Sequence, residues 1–398
     1  MSARLNLLAP EVRANPYPFY AQLRSEAPVC QIDPGGRWAI TRYEDVLYVL
    51  KNPRLFSSIA IQKSTQPPWL GRHNPFSESM FTMDPPEHGR LRSLVSRAFT
   101  PGVIAHMEER VRSFARELAS SLRMNTPINF VEAFALPLPA RTIGELLGLD
   151  ASLHSRFKRW SDDIVSSGSI SPEETDRHAE VRQNVTEMEQ HLENVLERRR
   201  QAPGADLMSE LLRVRVNGEA LTHRELMAFF FMLLVGGLET TVHLLGHSVR
   251  MLMERPELLA RLRREPSVIP RFVEEMVRYE PPLHGAVRLT TAPVTLAGVS
   301  LPAGEVVFAV LASACRDDAY CANGEAFNMD RIGPQNLAFG HGAHFCLGAA
   351  LARLQARVAL EELIARCGGL SPGPGQVEWN ASMIARGPTV LPVVLHPA

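Results

Sequence analysis

Most of the chain carries its hydrophobic residues at helical spacing. Helices are predicted through most of residues 88–262, and again over 266–279 and over 347–366, where the glycine pair 368–369 should end the last helix. Shorter segments predict a helix over 43–51 and strands over 37–41, 294–296, 299–301, 306–310 and 388–395. Residues 57–86, rich in Pro, Ser and Asn, predict a long irregular loop. The pattern indicates a mainly α fold with a small β part, and not an alternating βαβ sheet.

One predicted helix is unusually long and apolar but has a weak centre. Thr222 and Glu225 have the spacing of a capping box, and the apolar run that follows extends for roughly 30 residues, ~45 Å at the helical rise. Two glycines at 236–237 interrupt it, and Glu239 and Thr240 follow directly. Either the glycines kink a core helix whose Thr hydroxyls bond back to the preceding turn, or they open a groove for a small ligand beside an acid and an alcohol.

Composition narrows the class of protein. The 398 residues are 45% hydrophobic and 21% charged, as in soluble globular proteins, and the length suits two or three domains or one large one. A net charge of −1 argues against a general nucleic-acid or anionic-membrane binder. The five cysteines include no C-x-x-C pair, which argues against a disulfide scaffold or a zinc site. The N-terminus lacks the apolar stretch of a signal peptide or membrane anchor, so a cytoplasmic protein is predicted.

A cysteine stands among glycines just before the last predicted helix. Residues 339–348 have the sequence Phe-Gly-His-Gly-Ala-His-Phe-Cys-Leu-Gly. Glycines allow tight backbone bends and a close approach to a flat ligand, and a helix N-terminus favours a thiolate over a thiol. Cys346 is therefore the candidate reactive or ligating cysteine, whereas the other four are interpreted as small buried residues.

These segments resemble one known family. The pattern F-G-x-G-x-H-x-C-L-G at 339–348 resembles the haem-binding loop of the cytochrome P-450 superfamily. Residues 235–241 resemble the family's oxygen-activation stretch, and 275–278 match its E-x-x-R pair. Residues 84–92 resemble the start of the helix that contacts the haem propionates, and 386–388 resemble the turn near the C-terminus. All the matches occur in the family's order.

The resemblance implies the fold, the cofactor and its ligands. It implies the cytochrome P-450 fold, with one haem-thiolate monooxygenase domain over residues 1–398 and haem b (iron protoporphyrin IX) between the long central helix and the helix after the cysteine loop. Cys346 would be the axial ligand, and a thiolate in this position favours O–O cleavage. The other implied cofactor-binding residues are Phe339, Gly340 and Gly348 in the loop, and His88, Arg92, Arg288 and His344 beside the propionates.

The resemblance also assigns a structural group and a catalytic pair. Glu275 and Arg278 share a helix face and, with Arg331 as third member, would form a buried ion-pair group that supports the cysteine loop. Glu239 and Thr240 would deliver protons during the activation of dioxygen. Peroxide-using relatives often lack such a pair, which favours dioxygen and two electrons here.

The implied substrate pocket is mainly apolar, and electrons would come from other proteins. Its predicted lining consists of Phe231, Val235, Gly236, Leu283, Val287 and Ile384, with His284 as the one polar neighbour. This lining predicts a hydrophobic small molecule of terpenoid, steroid, fatty acyl or polyketide type. Because the resemblance assigns the whole chain to one haem domain, a ferredoxin and a ferredoxin reductase are the expected electron donors. The protein is expected to be a monomer.

Three other functions account for fewer of these residues or remain as alternatives. A cysteine hydrolase using Cys346 with His344 or His341 leaves the glycine-interrupted helix unexplained. A haem sensor without turnover has no need of the acid–alcohol pair formed by Glu239 and Thr240. A peroxide-driven haem peroxygenase remains the alternative enzyme.

Overall fold

Helices form most of the chain, as the hydrophobic spacing predicts. The computed structural model describes residues 4–71, 73–97, 99, 101–167, 170–171, 173–204, 206–333 and 336–398. The α-helices are α1 (Pro10–Ala14), α2 (Tyr17–Glu26), α3 (Tyr43–Lys51), α4 (Ile59–Thr65), α5 (Glu87–Ser96), α6 (Pro101–Ser121), α7 (Pro137–Leu147), α8 (His154–Ser166), α9 (Thr175–Gln201), α10 (Leu207–Arg213), α11 (His223–Glu254), α12 (Pro256–Arg264), α13 (Ile269–Tyr279), α14 (Leu311–Ala314) and α15 (Ala349–Arg366).

The β part consists of short strands. They are β1 (Val29–Ile32), β2 (Arg37–Ile40), β3 (Phe56–Ser57), β4 (Pro127–Asn129), β5 (Ala286–Thr290), β6 (Val294–Leu296), β7 (Val299–Leu301), β8 (Val306–Ala309), β9 (Cys367–Pro372), β10 (Glu378–Trp379), β11 (Pro388–Val390) and β12 (Pro392–Pro397). The predicted mainly α fold with a small β part is confirmed.

The chain divides into two compact units. The first comprises residues 1–57, 111–135 and 240–398, and all the strands named above belong to it. Its largest sheet has the order β1-β2-β8-β5-β3, in which only β2 and β8 run parallel. A three-stranded sheet has the order β4-β12-β9, and β10–β11 and β6–β7 form two further pairs. In this unit α1, α2 and the strands β1, β2 and β8 contribute to one apolar core, which includes Tyr17, Ile32 and Phe308.

The second unit comprises residues 58–110 and 136–239 and is mainly helical. Trp160, Phe157 and Phe230 are among its fully buried side chains, so helices α8 and α11 each contribute an aromatic residue to its core. Such large buried aromatic side chains account for much of the stabilisation of a helical core.

The predicted loop at 57–86 contains more regular structure than the sequence suggests. It includes α4 and three short 3₁₀ turns, Pro68–Leu70, Pro75–Glu78 and Met80–Thr82. Its polar residues satisfy the backbone instead of facing water. The fully buried Asn74 donates to the Thr65 carbonyl over 2.9 Å and accepts from the Phe76 amide over 3.1 Å. The loop prediction was therefore wrong for this part, because a polar composition was taken for irregular backbone.

At the C-terminal end, the predicted helix and strand segments are confirmed, but the predicted glycine cap of the last helix is wrong. Helix α15 ends at Arg366, but Gly368 and Gly369 do not form a glycine cap and lie in β9 instead. A Cβ on Gly368 would come within 2.4 Å of the Pro397 carbonyl oxygen, so glycine is required there by close strand packing. The predicted strand at 388–395 consists of two strands, β11 and β12.

The long helix α11 runs without interruption through its glycines. The predicted capping box is present: the Thr222 amide donates to a Glu225 carboxylate oxygen over 2.8 Å, and the Glu225 amide donates to Thr222 Oγ1 over 3.2 Å. The helix is long and apolar enough to cross a membrane by length and composition alone, yet 67% of its most apolar window is buried inside the protein. Burial of this kind is typical of a core helix.

Candidate active site

The cysteine loop of the first unit is a tightly bent segment that leads into α15. The Cys346 amide donates to the Phe339 carbonyl over 2.9 Å, and the Gly340 amide donates to the Leu337 carbonyl over 2.8 Å. Gly340 and Gly342 have φ angles of 74° and 70°. Residues with side chains adopt this left-handed conformation at a cost, which explains the glycines at these positions.

The surroundings of Cys346 differ from those of the other cysteines. Cys315, Cys321 and Cys367 are buried, and burial raises the pKa of Cys315 to about 12, so it is a neutral thiol. Cys346 is only half-buried and lies shortly before Ala349, where the 18-residue helix α15 begins. The N-terminal end of a helix stabilises negative charge, so this position suits a thiolate that binds a ligand.

Phe339 covers one side of the same loop. The guanidinium carbon of Arg353 lies 4.3 Å from the centre of the Phe339 ring, and the Phe345 ring lies 6.4 Å away at a tilt of 54°. A cation over an aromatic face stabilises its position by about 0.5–1 kcal/mol at a part-exposed site. The contact fixes the ring at the start of the cysteine loop.

The face of α11 around Gly236 is open. Gly236 is exposed and a Cβ there would meet no atom within 4 Å, whereas a Cβ on Gly237 would lie 2.5 Å from Ile143 Cδ1 of α7. Close packing therefore explains Gly237 and does not explain Gly236. Glu239 and Thr240 are half-buried. Residues four apart on a helix share a face, which places Thr240 beside the opening at Gly236.

Two of the four predicted propionate partners lie in the first unit and two lie in the second. In the first unit, Arg288 on β5 is 7% exposed and donates to the Val287 carbonyl over 2.8 Å, and half-buried His344 closes the 3₁₀ turn Gly342–His344. In the second unit, His88 and Arg92 lie on α5, with His88 buried and Arg92 half-buried. A buried guanidinium such as that of Arg288 is a suitable partner for a carboxylate.

The structure brings Glu275, Arg278 and Arg331 together. Arg278 donates to both carboxylate oxygens of Glu275 over 2.8 Å and 2.7 Å, and both side chains are 5% exposed. Arg331 Nε lies 3.4 Å from Glu275 Oε1, and the Asn328 amide donates to the same oxygen over 2.7 Å. One carboxylate thus satisfies two arginines and a backbone amide, as a buried charge requires.

The same arginines hold the loop that precedes the cysteine segment. Arg278 donates to the carbonyls of Cys315 and Gly324 over 2.9 Å and 2.8 Å, and Arg331 donates to those of Asn323 and Ala326, each over 3.0 Å. A Cβ on Gly324 would lie 2.3 Å from a backbone oxygen, so only glycine fits this loop. The group therefore positions backbone.

The predicted pocket residues of the first unit come from two segments that pair with each other. Leu283 forms an isolated antiparallel bridge with Ala385, and the His284 amide donates to the Ile384 carbonyl over 2.6 Å. Leu283, Val287 and Ile384 are half-buried. In the second unit, Phe231 is fully buried, Val235 is half-buried and Gly236 is exposed. His284 is buried, with its Nδ1 3.1 Å from the Tyr20 hydroxyl.

Sequence reasoning missed a second buried carboxylate, Glu280. Its oxygens accept hydrogen bonds from Tyr17, Arg250 and Arg386, each over 2.9 Å. Burial alone would raise the pKa of Glu280, but His247 and the surrounding arginines have the larger effect and lower this pKa to about 2. The only signal in the sequence is an acidic residue between α13 and a Pro-Pro pair, and its partners lie far away along the chain.

Comparison with known proteins identifies the family. The family profile described as Cytochrome P450 matches residues 169–378. The mycinamicin IV hydroxylase/epoxidase of Micromonospora griseorubida is 37% identical over 386 residues, covering 94% of each chain. The vitamin D(3) 25-hydroxylase of Pseudonocardia autotrophica is 36% identical and covers 96% of this chain and 94% of its own length. The solved structure of cytochrome P450 CYP109Q5 from Chondromyces apiculatus superposes with a TM-score of 0.91 at 37% identity and 100% coverage of both chains.

The fold and these likenesses define a haem-thiolate oxidoreductase. The chain belongs to the cytochrome P450 family, and its enzyme class is that of the cytochrome P450 monooxygenases. The family binds haem b through a cysteine thiolate.

The residues present fit this cofactor. The half-buried thiol of Cys346 precedes a helix N-terminus, which suits an anionic iron ligand. A Cβ on Gly348 would meet nothing within 4 Å, as at Gly236, so both glycines leave space that protein packing does not use. Arg288 is a buried cation, and its charge suits the carboxylate of a propionate.

Proposed function

We propose that this enzyme inserts one oxygen atom of dioxygen into a hydrophobic small molecule, and that the Cys346 thiolate would bind the iron of haem b. The carrying observation is the half-buried Cys346 in its glycine-bent loop at the start of α15. Thiolate-ligated haem supplies the activation of dioxygen when two electrons arrive. Residues 1–398 act as one haem domain, with the cofactor between α11 and α15.

Cofactor binding is assigned to groups of suitable charge. Cys346 holds the iron, and Phe339, Gly340 and Gly348 shape the loop around it. Arg288, His344, His88 and Arg92 pair with the propionates, because charge-assisted hydrogen bonds to carboxylates need cationic or imidazole donors. Glu275, Arg278 and Arg331 hold the preceding loop in place through the bonds described above.

Glu239 and Thr240 move protons. Both are half-buried on α11 beside the open face at Gly236, while Thr241 is only 2% exposed. A carboxyl group that is partly open to solvent can take up a proton and pass it to a neighbouring hydroxyl. The Thr240 hydroxyl accepts that proton as it gives up its own at the open face, so it passes a proton on without a change of charge. Positioned proton transfer of this kind contributes typically ~10²–10⁴-fold to rate.

The substrate is a hydrophobic molecule of terpenoid, steroid, fatty acyl or polyketide type. Leu283, Val287 and Ile384 offer half-buried apolar side chains in the first unit. On α11, Val235 offers another, and Gly236 leaves space beside it. Such a lining excludes water and selects ligands by shape. The relatives named for mycinamicin IV and vitamin D(3) support bulky apolar substrates.

Electrons come from a ferredoxin and a ferredoxin reductase, and the enzyme acts as a cytoplasmic monomer.

The test of the ligand is the Cys346→Ser variant. The reduced carbon monoxide complex of the wild-type protein should show the red-shifted Soret band of a thiolate ligand, and the variant should lose it. Cys30→Ser is the matched control, because Cys30 is also half-buried but burial raises the pKa of its thiol. Survival of the band in Cys346→Ser would overturn the assignment.

A second experiment tests the reaction. Product formation with NADPH and surrogate ferredoxin and reductase is compared with product formation from hydrogen peroxide alone. Turnover that needs the electron donors supports the monooxygenase. Turnover with peroxide alone, and none with the donors, would make the protein a peroxygenase.

A further inference from the structure

We infer that Glu280 is a positioning residue that sets the shape of the substrate pocket by joining its two lining segments to α11. The inference rests on the proposed function, because it takes Leu283 and Ile384 as pocket residues. Glu280 is only 4% exposed and is assigned no contact with haem or substrate. Its role is carried by the side chains that meet at its carboxylate.

Both carboxylate oxygens of Glu280 are fully used. Oε2 accepts from the Tyr17 hydroxyl and from Arg386 Nη1, and Oε1 accepts from Arg250 Nη2, all over 2.9 Å. Arg316 Nη2 lies 3.8 Å from Oε1. The carboxylate therefore links the N-terminal helix α2, the C-terminal half of α11 and the turn that follows β10.

The position of this carboxylate is unfavourable unless it has such partners. Glu280 is 4% exposed and directly follows α13, where the negative end of the helix dipole repels an anion. His247 and the surrounding arginines outweigh the effect of burial, and the pKa of Glu280 falls to about 2. The side chains that donate hydrogen bonds to this carboxylate also favour its ionised form, so charge and geometry support each other.

The bond to Arg386 acts directly beside the pocket. Arg386 is 1% exposed, follows Ile384 by two residues, and its amide donates to the Pro282 carbonyl over 2.9 Å. Leu283 therefore directly follows the residue whose carbonyl accepts this bond, and Ile384 lies two residues before the arginine that Glu280 binds. Fixing Arg386 against Glu280 fixes the distance between these two apolar side chains.

Arg386 also ties this turn to α11. Its carbonyl lies 2.9 Å from His247 Nε2, and the neighbouring Gly387 is so close to α11 that a Cβ there would come within 2.1 Å of the His243 ring. His243 lies three residues after Thr240 on the same helix. The Glu280 group thus joins both pocket segments to the helix that carries the proposed proton donor.

The experiment separates pocket shape from haem environment. Imidazole and 4-phenylimidazole both bind iron and shift the Soret band, but only the phenyl group of the latter reaches into the pocket. Glu280→Gln should raise the dissociation constant of 4-phenylimidazole by on the order of ten- to a hundredfold, as a small displacement of positioning groups can do. The dissociation constant of imidazole should stay unchanged.

Matched variants complete the test. Glu254→Gln is the control, because it removes the other carboxylate bound by Arg250, over 2.5 Å, and leaves Glu280 in place. It should leave both dissociation constants unchanged. If Glu280→Gln does not retain haem, Tyr17→Phe is used instead, because it removes one hydrogen bond to Glu280. This variant should also raise the dissociation constant of 4-phenylimidazole.

Two results would overturn the inference. One is an equal rise of both dissociation constants, which would make Glu280 a general stabilising residue. The other is no change in either constant in Glu280→Gln and Tyr17→Phe. A wild-type protein without any Soret response to imidazole would instead refute the proposed haem site, so the two failures are distinguishable.

Discussion

The buried pair between Glu275 and Arg278 offers the sharpest test of the structural group. Glu275→Ala removes the carboxylate that accepts two hydrogen bonds from Arg278, one from the Asn328 amide and a longer one from Arg331. The Arg278 side chain is 5% exposed, so its charge would remain in a site that water hardly reaches. Loss of one partner of a buried pair typically costs ~3–5 kcal/mol. We expect a loss of that size in the free energy of unfolding, with poor haem incorporation.

The neighbouring carboxylate provides the control. Glu274 precedes Glu275 on α13, is 47% exposed and pairs with Arg353, itself 34% exposed. Exposed ion pairs contribute ~0–1 kcal/mol, so Glu274→Ala should unfold at nearly the wild-type urea concentration. The assay is urea unfolding followed by far-ultraviolet circular dichroism, with haem content measured from the Soret absorbance.

The comparison can refute the reasoning. A Glu275→Ala protein that is no less stable than Glu274→Ala, and that carries a full complement of haem, would mean that Arg278 is satisfied by its carbonyl partners alone. Glu275→Gln separates charge from shape, because it keeps the volume and removes the charge. The free energy of unfolding of Glu275→Gln should lie between those of the wild type and Glu275→Ala.

Three further predictions concern α11. Thr240→Ala should still bind substrate and accept electrons, but it should form less product per NADPH and release more peroxide. Thr241→Ala changes a buried position and should keep the wild-type ratio of product to NADPH. An equal ratio in wild type, Thr240→Ala and Thr241→Ala would refute the proton route. Gly236→Ala should fold at least as well as wild type, since alanine favours a helix by ~1 kcal/mol, but it should bind 4-phenylimidazole more weakly. Gly237→Ala should be less stable than wild type, because its Cβ would meet the Ile143 side chain of α7. Burial lowers the pKa of His247 to about 3 from an ordinary 6.5. The unfolded chain therefore binds more protons between these values, so stability should fall as pH drops from 6.5 to 3, and His247→Asn should flatten that slope in urea titrations at several pH values.

Local signals in the sequence predicted local structure well. The capping box of Thr222 and Glu225 and the helix face shared by Glu275 and Arg278 lie within one turn, and the structure places their side chains together. Hydrophobic spacing predicted α3 and several strands, because a period of 3.6 or 2 residues reflects which face is buried. The same argument failed for Asn74, whose burial depends on partners that no period encodes.

Local sequence signals do not predict polar contacts between residues that are far apart in the chain. The partners of Glu280 come from α2, α11 and the C-terminal turn, and residues 17 and 386 lie near opposite ends of the chain. Composition and spacing carry no information about which of 42 basic residues meets which carboxylate. The family resemblance suggested Arg331 as a partner of Glu275, but nothing in it drew attention to Glu280.

The two buried carboxylates at α13 explain why this part of the chain uses ion pairs instead of apolar contacts. Apolar side chains of similar volume would often give equal or greater stability, because a buried ion pair loses much of its attraction to desolvation. Hydrogen bonds from a guanidinium, however, have fixed directions and fixed lengths. Glu275 and Arg278 therefore hold the carbonyls of the loop before the cysteine segment at defined positions, and Glu280 does the same for Arg386 in the turn that follows β10. A helix with one such carboxylate within it and a second directly after it can set the geometry of two functional segments at once, which apolar packing, lacking direction, does not do.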